Sequence, residues 1–313
     1  MTALSGVDYR TASPTAVKGA KAGKGRVLPG ADHRTTPPVA LKVCREGEGS
    51  AVPGVDPRTA AIEARDLTFA FGDRTVIGGV TLSVPAGGML GIVGPNGSGK
   101  TTLLRLLSGL LHPRAGEVAI LGRPAAEYSR RELARLVAVV PQGEGTVFPY
   151  TVEEMVGMGR LPHLSWPGWL SAHDRAVCRE AMRRTDIERF AGRTLDELSS
   201  GERQRVLIAR ALAQEARIVL LDEASSFLDL AQELGVFRML DELRREEGLT
   251  FVSVSHDLNL VGAFCQQVLL LRGGEVLAAG PLERTYTGAN LSELFGVPVE
   301  TAAGPGGRIR VQW

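Results

Sequence analysis

Nine consecutive residues constrain this chain more than any other stretch: Gly94-Pro95-Asn96-Gly97-Ser98-Gly99-Lys100-Thr101-Thr102. They match the pattern G-x-x-x-x-G-K-[ST]. The apolar run Met89 to Val93 predicts a short strand before them, and Lys100 to Leu107 reads as a helix after them. Each part has a physical job. The glycines let the backbone curl so that its N–H groups point at phosphate oxygens. The helix start adds a positive dipole end. Lys100 brings a compact charge to β- and γ-phosphates, and Thr101 a hydroxyl to Mg²⁺. A parallel α/β sheet carrying a phosphate loop is therefore expected.

The lysine count singles out the same place. Of 36 basic residues only five are lysine; four of these (Lys18, Lys21, Lys24, Lys42) lie in the first 60 residues, and Lys100 is the only one after them. Arg and Lys are interchangeable on a solvated face, but not in a phosphate cradle. There a planar guanidinium cannot replace an ammonium fitted between oxygens.

Residues 1–60 have a different texture. They are rich in Ala, Gly, Pro, Thr and Lys, without apolar periodicity. Nine basic and five acidic residues make them +4, against −3 for the remainder. Asp8-Tyr9-Arg10-Thr11, Asp32-His33-Arg34-Thr35 and Asp56-Pro57-Arg58-Thr59 recur at a spacing of 24. These units lack apolar residues to stack, so a disordered, repeat-derived extension is expected rather than a solenoid. Residues 61–302 form the expected catalytic domain, with a helical subdomain at about 150–214, and 303–313 a C-terminal tail.

Within that domain, Leu67 to Phe71 and Thr75 to Val84 read as strands flanking the turn at Gly72-Asp73. Val137 to Val140 predicts a strand ending before Pro141-Gln142. Ile218 to Leu221 predicts a buried strand that delivers Asp222 and Glu223 to its end. Leu249 to Val254 predicts another, followed by Ser255-His256, and Val268 to Leu271 with Val276 to Ala278 a hairpin across Gly273-Gly274. Strands alternating with helices indicate a mainly parallel sheet that presents polar groups where its strands end. At those ends Asp222 can hold Mg²⁺ through water, and Glu223 can polarise a water near the γ-phosphate.

Leu198-Ser199-Ser200-Gly201-Glu202-Arg203 opens a long helix. Two readings stand together: a second phosphate-facing helix terminus, or an ordinary Ser199 cap with Glu202 in capping-box position.

Together these motifs resemble the ATP-binding subunits of ATP-binding-cassette (ABC) transporters, over about residues 61–300. The resemblance implies a phosphate-loop ATPase core with an antiparallel β subdomain and a helical subdomain. It implies that Phe71 stacks on adenine, that Gly94, Pro95, Asn96, Gly97, Ser98, Gly99, Lys100, Thr101 and Thr102 hold the phosphates, and that Thr101, Gln142 and Asp222 hold Mg²⁺. Glu223, His256 and Gln142 become the catalytic set, while Ser199, Ser200, Gly201, Glu202 and Asp229 contact nucleotide across a dimer. Two departures stand out: Ser200 and Glu202 replace Gly and Gln of the family signature, and Ala224-Ser225 stand where Pro-Thr is frequent.

One phosphate loop and one signature imply a homodimer, or pairing with a similar subunit. No apolar run approaches the ~18 residues that cross a bilayer, so two transmembrane permease subunits must supply the pathway. The segments Thr151 to Val156, Gly159-Arg160-Leu161-Pro162-His163 and Ser255 to Leu260 resemble the importer branch for iron-siderophore, haem and cobalamin, which implies a substrate-binding protein on the far side of the membrane. Alternatives are the ATPase of an exporter or of a zinc or manganese importer, and a non-transport ABC protein. The charge imbalance is too small for strong nucleic-acid binding. The chain start lacks the pattern of a secretory signal, and Cys44, Cys178 and Cys265 are too few and too scattered for a disulfide framework. The expected location is the cytoplasmic face of the inner membrane, held there by the permeases. Trp166 and Trp169 are expected to pack locally, with contact to a membrane partner as the alternative.

Overall fold

The computed structural model describes residues 60–142, 148–165, 168–223, 230–304 and 307–313. The expected N-terminal extension lies outside them save for Ala60, and so do Asp229 and Trp166.

In chain order the elements are β1 (Ala60–Phe71), β2 (Arg74–Pro85), β3 (Met89–Val93), α1 (Lys100–Leu107), β4 (Ala115–Ile120), β5 (Arg123–Pro124), α2 (Arg130–Ala134) and β6 (Val137–Val140). The helices α3 (Val152–Gly157), α4 (Ala172–Arg184) and α5 (Ser200–Ala213) follow. Next come β7 (Ile218–Asp222), α6 (Leu230–Glu247), β8 (Thr250–Val254), α7 (Leu258–Phe264), β9 (Gln267–Arg272), β10 (Glu275–Pro281), α8 (Leu282–Thr285), α9 (Gly288–Phe295), β11 (Glu300–Ala303) and β12 (Ile309–Gln312).

Two sheets carry the fold. One is four-stranded and antiparallel in the order β2-β1-β4-β5; the other is six-stranded in the order β10-β9-β3-β8-β7-β6. Pairings β9/β3, β3/β8, β8/β7 and β7/β6 are parallel, and the edge hairpin β9/β10 is antiparallel. Both faces of the larger sheet are covered, which explains why its strands read as continuous apolar runs. Along β3, Met89 and Val93 join a core with α5, α6 and α7, while Leu90 and Ile92 join one with α1 and the antiparallel sheet. Alternation of period two divides the strand between the layers. Gly91 allows the close approach of α7: a Cβ there would sit 2.8 Å from Cγ1 of Val261.

The helical segment has a core of its own, built from Val152, Met155, Val156, Met182, Ile187, Phe190, Leu198, Val206 and Ala209. Arg160 ties it together. Its side chain is only 3% exposed; Nε donates to Oδ1 of Asp174 at 2.9 Å, and Nη1 donates to the Ala213 carbonyl at 2.8 Å and to Oε2 of Glu215 at 2.6 Å. Three acceptors from two separated pieces of chain thus meet on one buried guanidinium, which has enough donors for all of them.

Three expectations differ from what is observed. β1 starts at Ala60, well before Leu67, because its first residues pair with both β2 and β4. The boundary drawn at 302 falls inside the β11–β12 hairpin, and β12 is docked rather than trailing: Val311 N donates to Oδ1 of Asn259 on α7 at 2.9 Å. Trp169 is not packed; it is 83% exposed, beside Gly168 at φ +90° in the approach to α4.

Candidate active site

Four adjacent parallel strands, β3, β8, β7 and β6, end at the same side of the sheet, and each hands over to a polar residue of the sequence motifs. The glycine loop follows β3, Ser255-His256 follow β8, Asp222 and Glu223 end β7, and Pro141-Gln142 follow β6. The carboxyl end of a parallel sheet is where α/β proteins place ligands.

The loop is shaped by glycines at two kinds of position. Gly97 and Gly99 hold φ of +77° and +100°, a region that side-chain-bearing residues rarely occupy. Gly94 is held by contact: a Cβ there would lie 2.2 Å from the Leu271 carbonyl oxygen. β2 and the β9–β10 turn buttress the loop, since Gly274 N donates to the Ser98 carbonyl at 3.0 Å. A Cβ on Gly99 would also come within 2.9 Å of the Val76 carbonyl oxygen.

Lys100 is buried, and its Nζ donates to the carbonyls of Gly94 at 2.9 Å and Pro95 at 3.1 Å. Burial lowers its pKa from the ordinary lysine value, with Glu223 and Asp222 pulling the other way. Thr101 Oγ1 donates to Oδ1 of Asp222 at 3.1 Å. Burial pushes the Asp222 carboxyl up, opposed by that hydrogen bond. Both shifts have the sign that bound phosphate and a divalent cation would reverse, because anions favour the ammonium and cations the carboxylate.

Glu223 closes the array. Its backbone takes φ +48° as the chain leaves β7, and its N donates to the Val254 carbonyl at 3.2 Å. Oε1 lies 2.6 Å from Nε2 of His256, and Oε2 accepts from Nε2 of Gln142. Residues 81 and 33 positions away in sequence therefore hold one carboxylate.

A cavity of about 300 Å³ opens over the loop, walled by Arg74, Val76, Asn96, Gly97, Gly99, Lys100, Thr101, Thr102 and Glu223. Arg74 and Val76 were missed by the sequence reading. The hairpin could be read from the sequence, but the packing of β2 against the loop could not. Phe71 is 54% exposed, with its ring edge-on to Phe69 at 4.9 Å; it is a surface aromatic and not a core one. A larger groove of about 730 Å³ between α6, α7, α8 and the C-terminal hairpin contains none of the motif residues.

The signature segment does not join the cavity within one chain. Ser199 caps α5: its Oγ accepts from Glu202 N at 3.3 Å, and Oε2 of Glu202 accepts from Ser199 N at 2.8 Å. The local cap reading describes this geometry. It leaves Ser199 on the surface, so a role towards a second molecule stays compatible with it.

A glycine loop with a buried lysine, beside a Thr–Asp pair and a clamped glutamate at parallel strand ends, defines a phosphate-loop nucleoside triphosphatase. The family model described as ABC transporter matches residues 77–226. The hemin import ATP-binding protein HmuV of Streptomyces coelicolor is 44% identical over 243 residues, covering 77% of this chain and 85% of that protein. The iron(3+)-hydroxamate import ATP-binding protein FhuC of Bacillus subtilis is 35% identical over 245 residues, covering 78% and 91%. Among solved structures, an inward-facing putative metal-chelate type ABC transporter matches with a TM-score of 0.72 at 30% identity, over 81% of this chain and 97% of that one. The chain belongs to the ABC transporter family of ATP-binding proteins, and it is an ATPase.

Proposed function

We propose that this chain energises the import of an iron chelate, haem or siderophore, or of cobalamin, through separate transmembrane subunits. The observation that carries this reading is its 44% identity to a hemin import ATP-binding protein along 85% of that protein. The relative for hydroxamate-bound iron supports the wider class of chelates. Among the described residues no helix is long and apolar enough to cross a membrane, so this reading assigns the pathway to two permease subunits and delivery of the cargo to a substrate-binding protein.

In the reaction, Gly94 to Thr102 bind the triphosphate and Lys100 neutralises its β- and γ-oxygens. Glu223 orients a water for in-line attack on the γ-phosphorus and takes its proton as the bond to the β-bridging oxygen breaks. His256 and Gln142 hold that carboxylate in place. The hydroxyl of Thr101 and the carboxylate of Asp222 are hard oxygen donors side by side, a donor set that fits Mg²⁺, with Gln142 as a third ligand. When bound there, the ion would supply charge neutralisation. The surface position of Ser199, away from its own cavity, supports a homodimer in which each signature completes the other copy's site.

The test is co-purification with the permease subunits, reconstitution, and uptake of labelled haem, ferric hydroxamate and cobalamin. ATP-dependent uptake of one of them is expected, and uptake of none would overturn the cargo assignment.

A further inference from the structure

We infer that Arg74 is a further nucleotide-binding residue, its guanidinium taking the α-phosphate of the bound triphosphate. This rests on the reading of the cavity as the ATP site. Phe71 and Arg74 are register partners across the Gly72-Asp73 turn, and directly opposed residues of an antiparallel pair project to the same side. The register of β1 and β2 shifts at Val76, which lies between the pairs Ala70/Thr75 and Phe69/Ile77, and both Arg74 and Val76 line the cavity. The Val76 carbonyl is pressed against Gly99, so β2 is fixed against the phosphate loop. Arg74 stands two residues before that contact, at the end of β2 that pairs with Phe71.

Electrostatics point to an anion. Among the described residues the Arg74 guanidinium makes no hydrogen bond and no ion pair. Glu223, the carboxylate of the same cavity wall, already has its two oxygens occupied by His256 and Gln142. The loop facing Arg74 is itself electropositive, with a buried lysine and the N-terminus of α1. Arg74 is exposed, so its guanidinium is open to an incoming anion, and a guanidinium fits phosphate oxygens in a fork.

Position then selects the group. Lys100, at the helix end of the loop, serves the β- and γ-phosphates, and Phe71 stands at the adenine end. Between those ends a nucleotide offers the ribose and the α-phosphate, and only the second is charged. The residue type carried no signal in the sequence, because Arg is this chain's default cation.

The experiment measures affinity of the full chain for ATP and ADP, and KM for MgATP, in wild type, Arg74→Ala, Arg74→Lys and Lys100→Ala, with thermal melts to establish folding. For Arg74→Ala the expected result is a loss of roughly fivefold to tenfold, equal for ATP and ADP, appearing in KM and shrinking at high salt. Arg74→Lys should recover part of it. Unchanged affinity for both nucleotides overturns the inference, and so does a loss confined to ATP, which would move the contact to the γ-phosphate. An equal loss of adenosine binding, measured by competition, also overturns it by placing the contact on the nucleoside. If Lys100→Ala binds as wild type does, the nucleotide-site reading itself fails; if Lys100→Ala loses binding and Arg74→Ala does not, only the role of Arg74 falls.

Discussion

Nε2 of His256 lies 2.6 Å from Oε1 of Glu223, although the two residues leave different strands of the sheet. Gln142 occupies the other oxygen from the far side. The carboxylate is therefore oriented by neighbours on both flanks, the positioning that a proton-accepting group requires.

Glu223→Gln keeps the shape and can still hydrogen-bond both neighbours, but it cannot take a proton. Phosphate release should fall about a hundredfold or more, while ATP affinity stays close to wild type. Near-normal phosphate release would remove Glu223 from the proton-accepting role.

Lys100→Arg should abolish hydrolysis, with a loss of about a hundredfold or more. The ammonium is buried and fitted to the Gly94 and Pro95 carbonyls at 2.9 and 3.1 Å. A guanidinium is wider than that slot and planar, so it would displace the loop that holds the phosphates. Turnover within a few-fold of wild type would show that the solitary lysine of residues 61–313 is an accident of composition.

Much of this site was legible because its residues are local in sequence or sit at the ends of apolar runs. Gly94 to Thr102 are one continuous stretch, and Asp222, Glu223 and His256 lie at or just after the ends of strands whose burial shows as Ile, Val, Leu and Phe. What stayed hidden depends on long-range pairing. Arg74 enters the cavity wall only because β2 lies against the loop, and no local pattern encodes that contact. β12 has a single buried residue, Val311, too little apolar pattern to mark a strand, and its partner Asn259 lies 52 positions away. Ser199 to Glu202 illustrate the opposite case: the capping box there is wholly local, and four consecutive residues are enough to encode it.

Gly94→Ala and Gly97→Ala should separate contact from backbone conformation. A Cβ on Gly94 meets the Leu271 carbonyl oxygen at 2.2 Å, a backbone atom of β9 that cannot swing aside. Gly97 has φ +77° but nothing within 4 Å of its Cβ position, so alanine there costs about 1–2 kcal/mol of local strain. Gly94→Ala should lose ATP binding altogether, and Gly97→Ala should weaken it by about tenfold. Titration of both with a fluorescent ATP analogue ranks them; equal effects would show that the contact at Gly94 relaxes.

Deleting residues 1–59 should leave ATP affinity and hydrolysis within about twofold of the full chain. Every cavity-lining residue lies at or beyond Arg74, and β1, which starts at Ala60, pairs with β2 and β4. A large loss of affinity would make the N-terminal segment part of the site.

The Arg160 network predicts a stability effect and its pH dependence. Replacing Arg160 by Met leaves Asp174, whose side chain is 11% exposed, without its cation. Removing one member of a buried pair costs about 3–5 kcal/mol. The arm to Glu215, 49% exposed on the acid side, contributes little of this. The Asp174 carboxyl is held at about 2, below the ordinary 3.8, by hydrogen bonds from Ser171 first and then by Arg160. A carboxyl that is more acidic in the folded state contributes its full stabilisation above the unfolded value and loses it as pH falls through the folded one. The thermal midpoint of wild type should therefore drop between pH values of about 4 and about 2, and Asp174→Asn should show a shallower drop across that window. Parallel pH profiles for wild type and Asp174→Asn would show that Asp174 has no depressed pKa.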